Sequence, residues 1–152
     1  MPSTEKPLDH DAVLAEQGIL LADAVAAALP GWVGRSLRSR APDVGDDVVA
    51  AVTAEVEADV VADLRSLLAA DVDEQHQSPL AVVRRAAATV GGALDALGVP
   101  PAERDDQQRS LFPDDSHDLV PASFADLSEE AGQAGIRWGA AKAYVHRRRH
   151  RG

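Results

Sequence analysis

The sequence predicts an all-α, single-domain helical bundle of four to six helices with short charged connections. Apolar residues recur every three or four positions over long stretches. No stretch of any length alternates apolar and polar residues as a half-buried strand does. Pro- and Gly-containing breaks separate the periodic stretches at intervals suited to helices. The chain of 152 residues is 45% apolar but only 3% aromatic. Its core is therefore expected to be layers of Ala, Val and Leu, packed closely but with little area buried per side chain.

Residues 1–8, with Pro2 and Pro7 and no periodicity, read as a flexible leader before a bundle domain over 9–146. Asp9 or Asp11 offers an N-cap for a first helix, and Pro30-Gly31 predicts its end at about Leu29. Gly31 to Pro42 then reads as a short helix or a loop folded over the bundle. It sets Trp32 among Arg35, Arg38 and Arg40 with no acid. Trp32 is expected to plug a core end; the alternative is an exposed aromatic that grips a partner or stacks on a base.

A long helix is expected from Asp43 to about Asp71. Val44, Val48, Val52, Val56, Val60, Leu64 and Leu68 recur every four residues. Strict four-residue spacing overshoots the 3.6-residue turn, so this stripe drifts around the helix and must meet more than one neighbour. The next helix is bounded by Ser78 as N-cap, Pro79 in its first turn and Gly98 at its end, with Pro100-Pro101 preventing continuation. Leu80, Val83, Ala87, Val90, Leu94 and Leu97 form its seam. A short charged helix is expected between Pro101 and Leu111. Ser123 to Asp126 resembles a capping box that starts another helix through about Ala131, interrupted by Gly132 and Gly135. The final helix is expected from about Ile136 to His146 or beyond. Gly135, Gly139 and Ala143 on one side would leave room for a neighbour.

Charge is distributed unevenly. All 25 acids fall within residues 1–130, against nine bases there, a net charge of −16. Residues 131–152 hold no acid and six bases: Arg137, Lys142, Arg147, Arg148, Arg149 and Arg151. Residues 147–152 read as a basic tail that meets something anionic, in another molecule or in the protein itself. Arg147, Arg148, Arg149, Arg151 and Lys142, with Trp32, Arg35, Arg38 and Arg40, form the candidate partner-binding set.

Three further constellations carry potential chemistry. Glu55, Asp59 and Asp63 fall near one helix face, as a hard-cation site would need, but no Glu-x-x-His pair accompanies them. An acidic solvated face, or a docking surface for bases, is the expected reading. Asp114, Asp115, Ser116, His117 and Asp118 supply oxygen and imidazole ligands without the Gly and Glu of an EF-hand loop. His146 and His150 have helical His-pair spacing, but the three arginines between them disfavour a cation. No metal site and no cofactor are expected.

The chain has no Cys, which removes thiol nucleophiles and thiolate metal sites. Its first residues lack a basic secretory start. The most apolar window, Gly18 to Leu29, falls short of the ~20 residues needed to cross a bilayer, so no membrane span is expected and the cytoplasm is the default location. No phosphate loop, dinucleotide fingerprint, nucleophile elbow or His-Glu-x-x-His occurs. These observations point to a non-enzymatic helical protein that binds another protein, in a regulatory or adaptor role, with self-association a related expectation. The alternative is a nucleic-acid-associated accessory factor using the basic end, disfavoured by the acidity of the whole chain. A small metal-binding bundle centred on Glu55, Asp59 and Asp63 ranks below both.

Overall fold

A computed structural model describes residues 9–75, 77–113, 115–119 and 123–150, and among them the protein is an all-α bundle without strands. The helices are α1 (His10–Arg40), α2 (Asp46–Ala69), α3 (Pro79–Ala96), α4 (Asp106–Leu111) and α5 (Glu129–Arg149). Short 3₁₀ turns at Val72–Glu74 and Phe124–Asp126 follow α2 and precede α5. Helix α1 is the centre: α2 packs on one side of it and α5 on another, while α3 packs mainly on α2.

Asp9 caps α1, its carboxylate accepting from the N–H groups of Asp11 and Ala12. The helix then runs unbroken through Pro30 to Arg40, where an end at Leu29 was expected. A proline inside a helix costs about 3 kcal/mol. Beyond it, Trp32, Val33 and Leu37 are all buried, and each such side chain contributes about 1.5–3 kcal/mol. Burial outweighs the proline. Pro30 itself is exposed, so water can reach the carbonyl that its ring deprives of a donor. The Gly31–Pro42 segment is thus mostly the second half of α1. By length and composition α1 is apolar enough to cross a membrane, and its apolar stretch is not confined to Gly18–Leu29. In the bundle its inward side, from Leu14 to Leu37, is buried.

Helix α2 follows the drifting stripe. Val52, Val56, Val60, Leu64 and Leu68 are buried, and the helix meets both α1 and α3 as the drift requires. On α3, the Ser78 side chain accepts from the N–H of Ala81, Pro79 sits in the first turn, and Gly98 adopts φ 79. A residue with a side chain would be strained there. Val83, Ala87, Val90 and Leu94 are buried as expected, whereas Leu97 at the seam's end is 43% exposed.

The C-terminal third differs from expectation. Ser123–Asp126 forms only one 3₁₀ turn, its Asp126 carboxylate accepting from the Ser123 N–H. Helix α5 starts separately, with the Ser128 side chain accepting from the Ala131 N–H. It runs straight through Gly132 and Gly135. Those glycines allow contact instead of breaking the helix. A Cβ on Gly132 would lie 2.9 Å from the Cα of Ala125, and one on Gly135 would lie 2.5 Å from the Phe124 ring. The 3₁₀ turn packs into the space they leave. Gly139, expected to share that groove, has open space where a Cβ would be.

Candidate interaction site at the C-terminal helix

Helix α5 presents two unlike sides. Ala131, Ala134, Trp138 and Val145 are buried. Lys142, beside them, places its ammonium 4.9 Å from the centre of the Trp138 ring. The opposite side carries Ile136, Ala140, Ala143, Tyr144 and Arg147 at spacings that keep them on one face. All five are exposed: Ile136 by 74% and Tyr144 by 40%. Tyr144 also stacks, tilted, on His10 of α1 at 4.5 Å between ring centres.

The basic residues divide in the same way. Arg149 turns inward and joins three parts of the chain. Its guanidinium donates to Asp11 at the start of α1 at 2.9 Å, to both oxygens of Asp71 at 2.8 Å, and to Asp73 at 3.1 Å. The Arg149 contact holds the Asp71 carboxyl below its ordinary value, aided by the N–H of Asp73. Its carboxylate partners in turn raise the Arg149 pKa above its already high value. This arginine from the expected tail meets the body of its own protein. Arg147 and Arg148 are exposed, with no ion pair among the described residues. Arg151 lies outside the described residues.

The arginines at the end of α1 are exposed, and two of them have partners within the bundle. Trp32 is 6% exposed and belongs to the core, so it offers no aromatic surface to a partner. Arg35 donates to the carbonyl of Leu127 at 3.0 Å, tying α1 to the segment before α5. Arg38 pairs with Asp46 at 3.0 Å. Arg40 is exposed at the helix end.

The acidic ladder is also structural in part. Arg85 of α3 donates to Asp63 at 2.7 Å, to the Asp59 carboxylate at 3.2 Å and to the Asp59 carbonyl. Asp63 and Asp59 thereby raise the Arg85 pKa. Two carboxylates expected to face solvent or a base thus join α2 to α3, while Glu55 is exposed.

In the loop after α4, both Asp115 oxygens accept from the Leu119 N–H at 2.8 Å, and Asp118 has φ 55. Asp114 lies outside the described residues. His117 is fully buried, its Nε2 2.7 Å from Asp95 of α3. Its ring fastens the loop over Gly91, where a Cβ would come 3.5 Å from it. As a core residue His117 has no periodic signal in the sequence, because it lies in a loop.

Two grooves accompany these features. One of about 300 Å³ lies between α1 and α2, lined by Gly18, Ile19, Ala22 and Leu68 with the Arg65 that pairs with Asp23. Another of about 400 Å³ lies beside Arg84, Arg85 and Phe112, where Arg84 sits 5.1 Å from the centre of the Phe112 ring. Neither brings together a nucleophile, a base and an anion-stabilising group, the minimum a catalytic reading needs. Among known protein families, curated proteins and solved structures, none matches this chain.

Proposed function

We propose that the protein is a non-enzymatic docking bundle, in a regulatory or adaptor role, that uses the outer face of α5 to bind an acidic, amphipathic segment of another protein. The observation that carries this is an apolar face left open on a helix that has no acid after Glu130: Ile136, Ala140, Ala143 and Tyr144 are exposed, with Arg137 and Arg147 on the same side. Aliphatic and aromatic side chains would supply contact area, and the unopposed bases would steer an acidic partner and set its register. The net negative charge of the whole chain disfavours a nucleic-acid interface.

The test compares partners captured by the intact chain and by an Ile136→Asp, Tyr144→Ala variant. Both sites are exposed, so the fold should survive, and matching circular dichroism would check it. The expected result is one partner bound through an acidic segment and lost by the variant, with affinity falling as salt rises. Equal capture by both proteins would overturn the assignment to α5. Binding that instead tracks nucleic acid, and disappears after nuclease treatment, would overturn the protein-docking reading.

A further inference from the structure

The geometry points to a binding site for a borderline divalent transition-metal ion of the zinc class, made by His146 of α5, His150 that caps its C-terminus, and Asp73 of the turn after α2. Each residue offers a ligand atom, and the three atoms lie within 4.8 Å of one another. The His150 Nε2 is 3.5 Å from Asp73 Oδ1. Two ligands of a tetrahedral zinc stand about 3.3–3.5 Å apart, given metal–ligand bonds of about 2.0–2.1 Å. That pair is therefore already at coordinating distance. The ligand atoms stand up to 4.8 Å apart, so bringing in the His146 nitrogen takes a side-chain adjustment of up to about 1.5 Å. The His146 and His150 side chains are exposed, which leaves their rings free to make it.

The sequence argues against a cation here because three arginines separate the two histidines. The fold weakens that objection. Arg149 lies among Asp11, Asp71 and Asp73, three carboxylates against one guanidinium, with two negative charges in excess. Arg148 lines a recess together with Arg149, Asp11, His10 and Asp9, so Asp9 adds one further negative charge beside it. Arg147, the remaining base, is exposed to solvent, where its repulsion is screened. Asp73 keeps one oxygen for the site: Arg149 takes Oδ2, and Oδ1 faces His150. This positions the carboxylate as second-sphere partners usually do.

The donor set selects the class of ion. Two imidazoles and one carboxylate suit zinc, copper or nickel, whereas magnesium and calcium seek oxygen ligands. With three protein ligands, a fourth position stays open to water or to a side chain from a bound partner. Metal binding would join the last turn of α5 to the turn after α2, at the place Arg149 already connects.

The test is calorimetric titration of the full chain with Zn²⁺, with Mg²⁺ as a control, and backbone NMR to locate the effect. Saturable binding of one Zn²⁺ is expected, with shifts at Val72–Glu74 and His146–His150 and none from Mg²⁺. The His146→Gln and His150→Gln variants should each weaken binding about tenfold or more. Asp73→Asn should weaken it by a smaller factor, the Zn²⁺-induced shifts at Val72–Glu74 being lost. No saturable binding by the intact chain at millimolar Zn²⁺ would overturn the site. Binding unchanged in both histidine variants, or an intact chain whose Val72–Glu74 signals do not respond, would overturn it too.

Discussion

Gly132 and Gly139 stand two turns apart on α5 and meet opposite surroundings. A Cβ at 132 would meet the backbone of Ala125 at 2.9 Å, while one at 139 would meet nothing within 4 Å. Gly132→Ala forces the 3₁₀ turn off the helix and should destabilise the protein by about 1–3 kcal/mol. Gly139→Ala reduces only the freedom of the unfolded chain and should stabilise by about 0.5–1 kcal/mol. Urea unfolding midpoints of the two variants should move in opposite directions; equal shifts of one sign would refute the close approach. The sequence reads the two the other way round, Gly132 as an interruption of a helix and Gly139 as room for a neighbour. Which of them serves a contact depends on Phe124 and Ala125, placed by chain geometry that local spacing does not encode.

At the scale of elements, the helix boundaries that a local cap or breaker marks were legible, whereas the start of α5, expected at about Ile136 and found at Glu129, was not. Ser78 and Pro79 predict the beginning of α3, and Asp9 or Asp11 that of α1, where Asp9 proves to be the cap, because an N-cap acts on its own next two or three residues. The buried stripe of α2 was legible for a similar reason, since periodicity is a local property. Pro30 is the instructive failure. As a local signal it ends a helix, but Trp32, Val33 and Leu37 bury on the same inward side as Leu29 and carry α1 past it. If the proline is tolerated against its own cost, Pro30→Ala should restore the missing N–H and raise stability by about 1–3 kcal/mol. Thermal unfolding checks this. A lowered melting temperature would mean that the proline shapes α1 in a way that packing requires.

Across the whole molecule, Arg149 brings the two ends of the described chain together. Its partners Asp11 and Asp71 are 138 and 78 positions away in sequence. The contact is partly exposed and therefore salt-screened, so its expected effect is local order. Because Arg149 lowers the native pKa of Asp71 from 3.8, the unfolded carboxyl protonates first as pH falls. The stabilisation is full above about pH 3.8 and is lost as pH falls through the lower native value. Backbone Cα shifts of Val145–Arg149 should thus stay helical down to that range and then fray. In an Arg149→Gln variant they should report fraying already at neutral pH. Helical shifts that are the same in both proteins at every pH would show that the contact does not hold the helix end.

The sequence by itself determined the helical class, the cap-defined starts of α1 and α3, the Val/Leu stripe of α2 and the concentration of bases after Glu130. Each depends on neighbours within a few residues or on composition. Only the tertiary structure decided that Arg35 and Arg38 find partners on neighbouring segments, that Asp59 and Asp63 hold Arg85, and that Arg149 turns inward while the Ile136–Tyr144 face stays open. A charge or an aromatic ring has the same local signature whether it faces water or a partner tens of residues away. What distinguishes the two is the path of the chain in space, set by burial summed over the whole bundle.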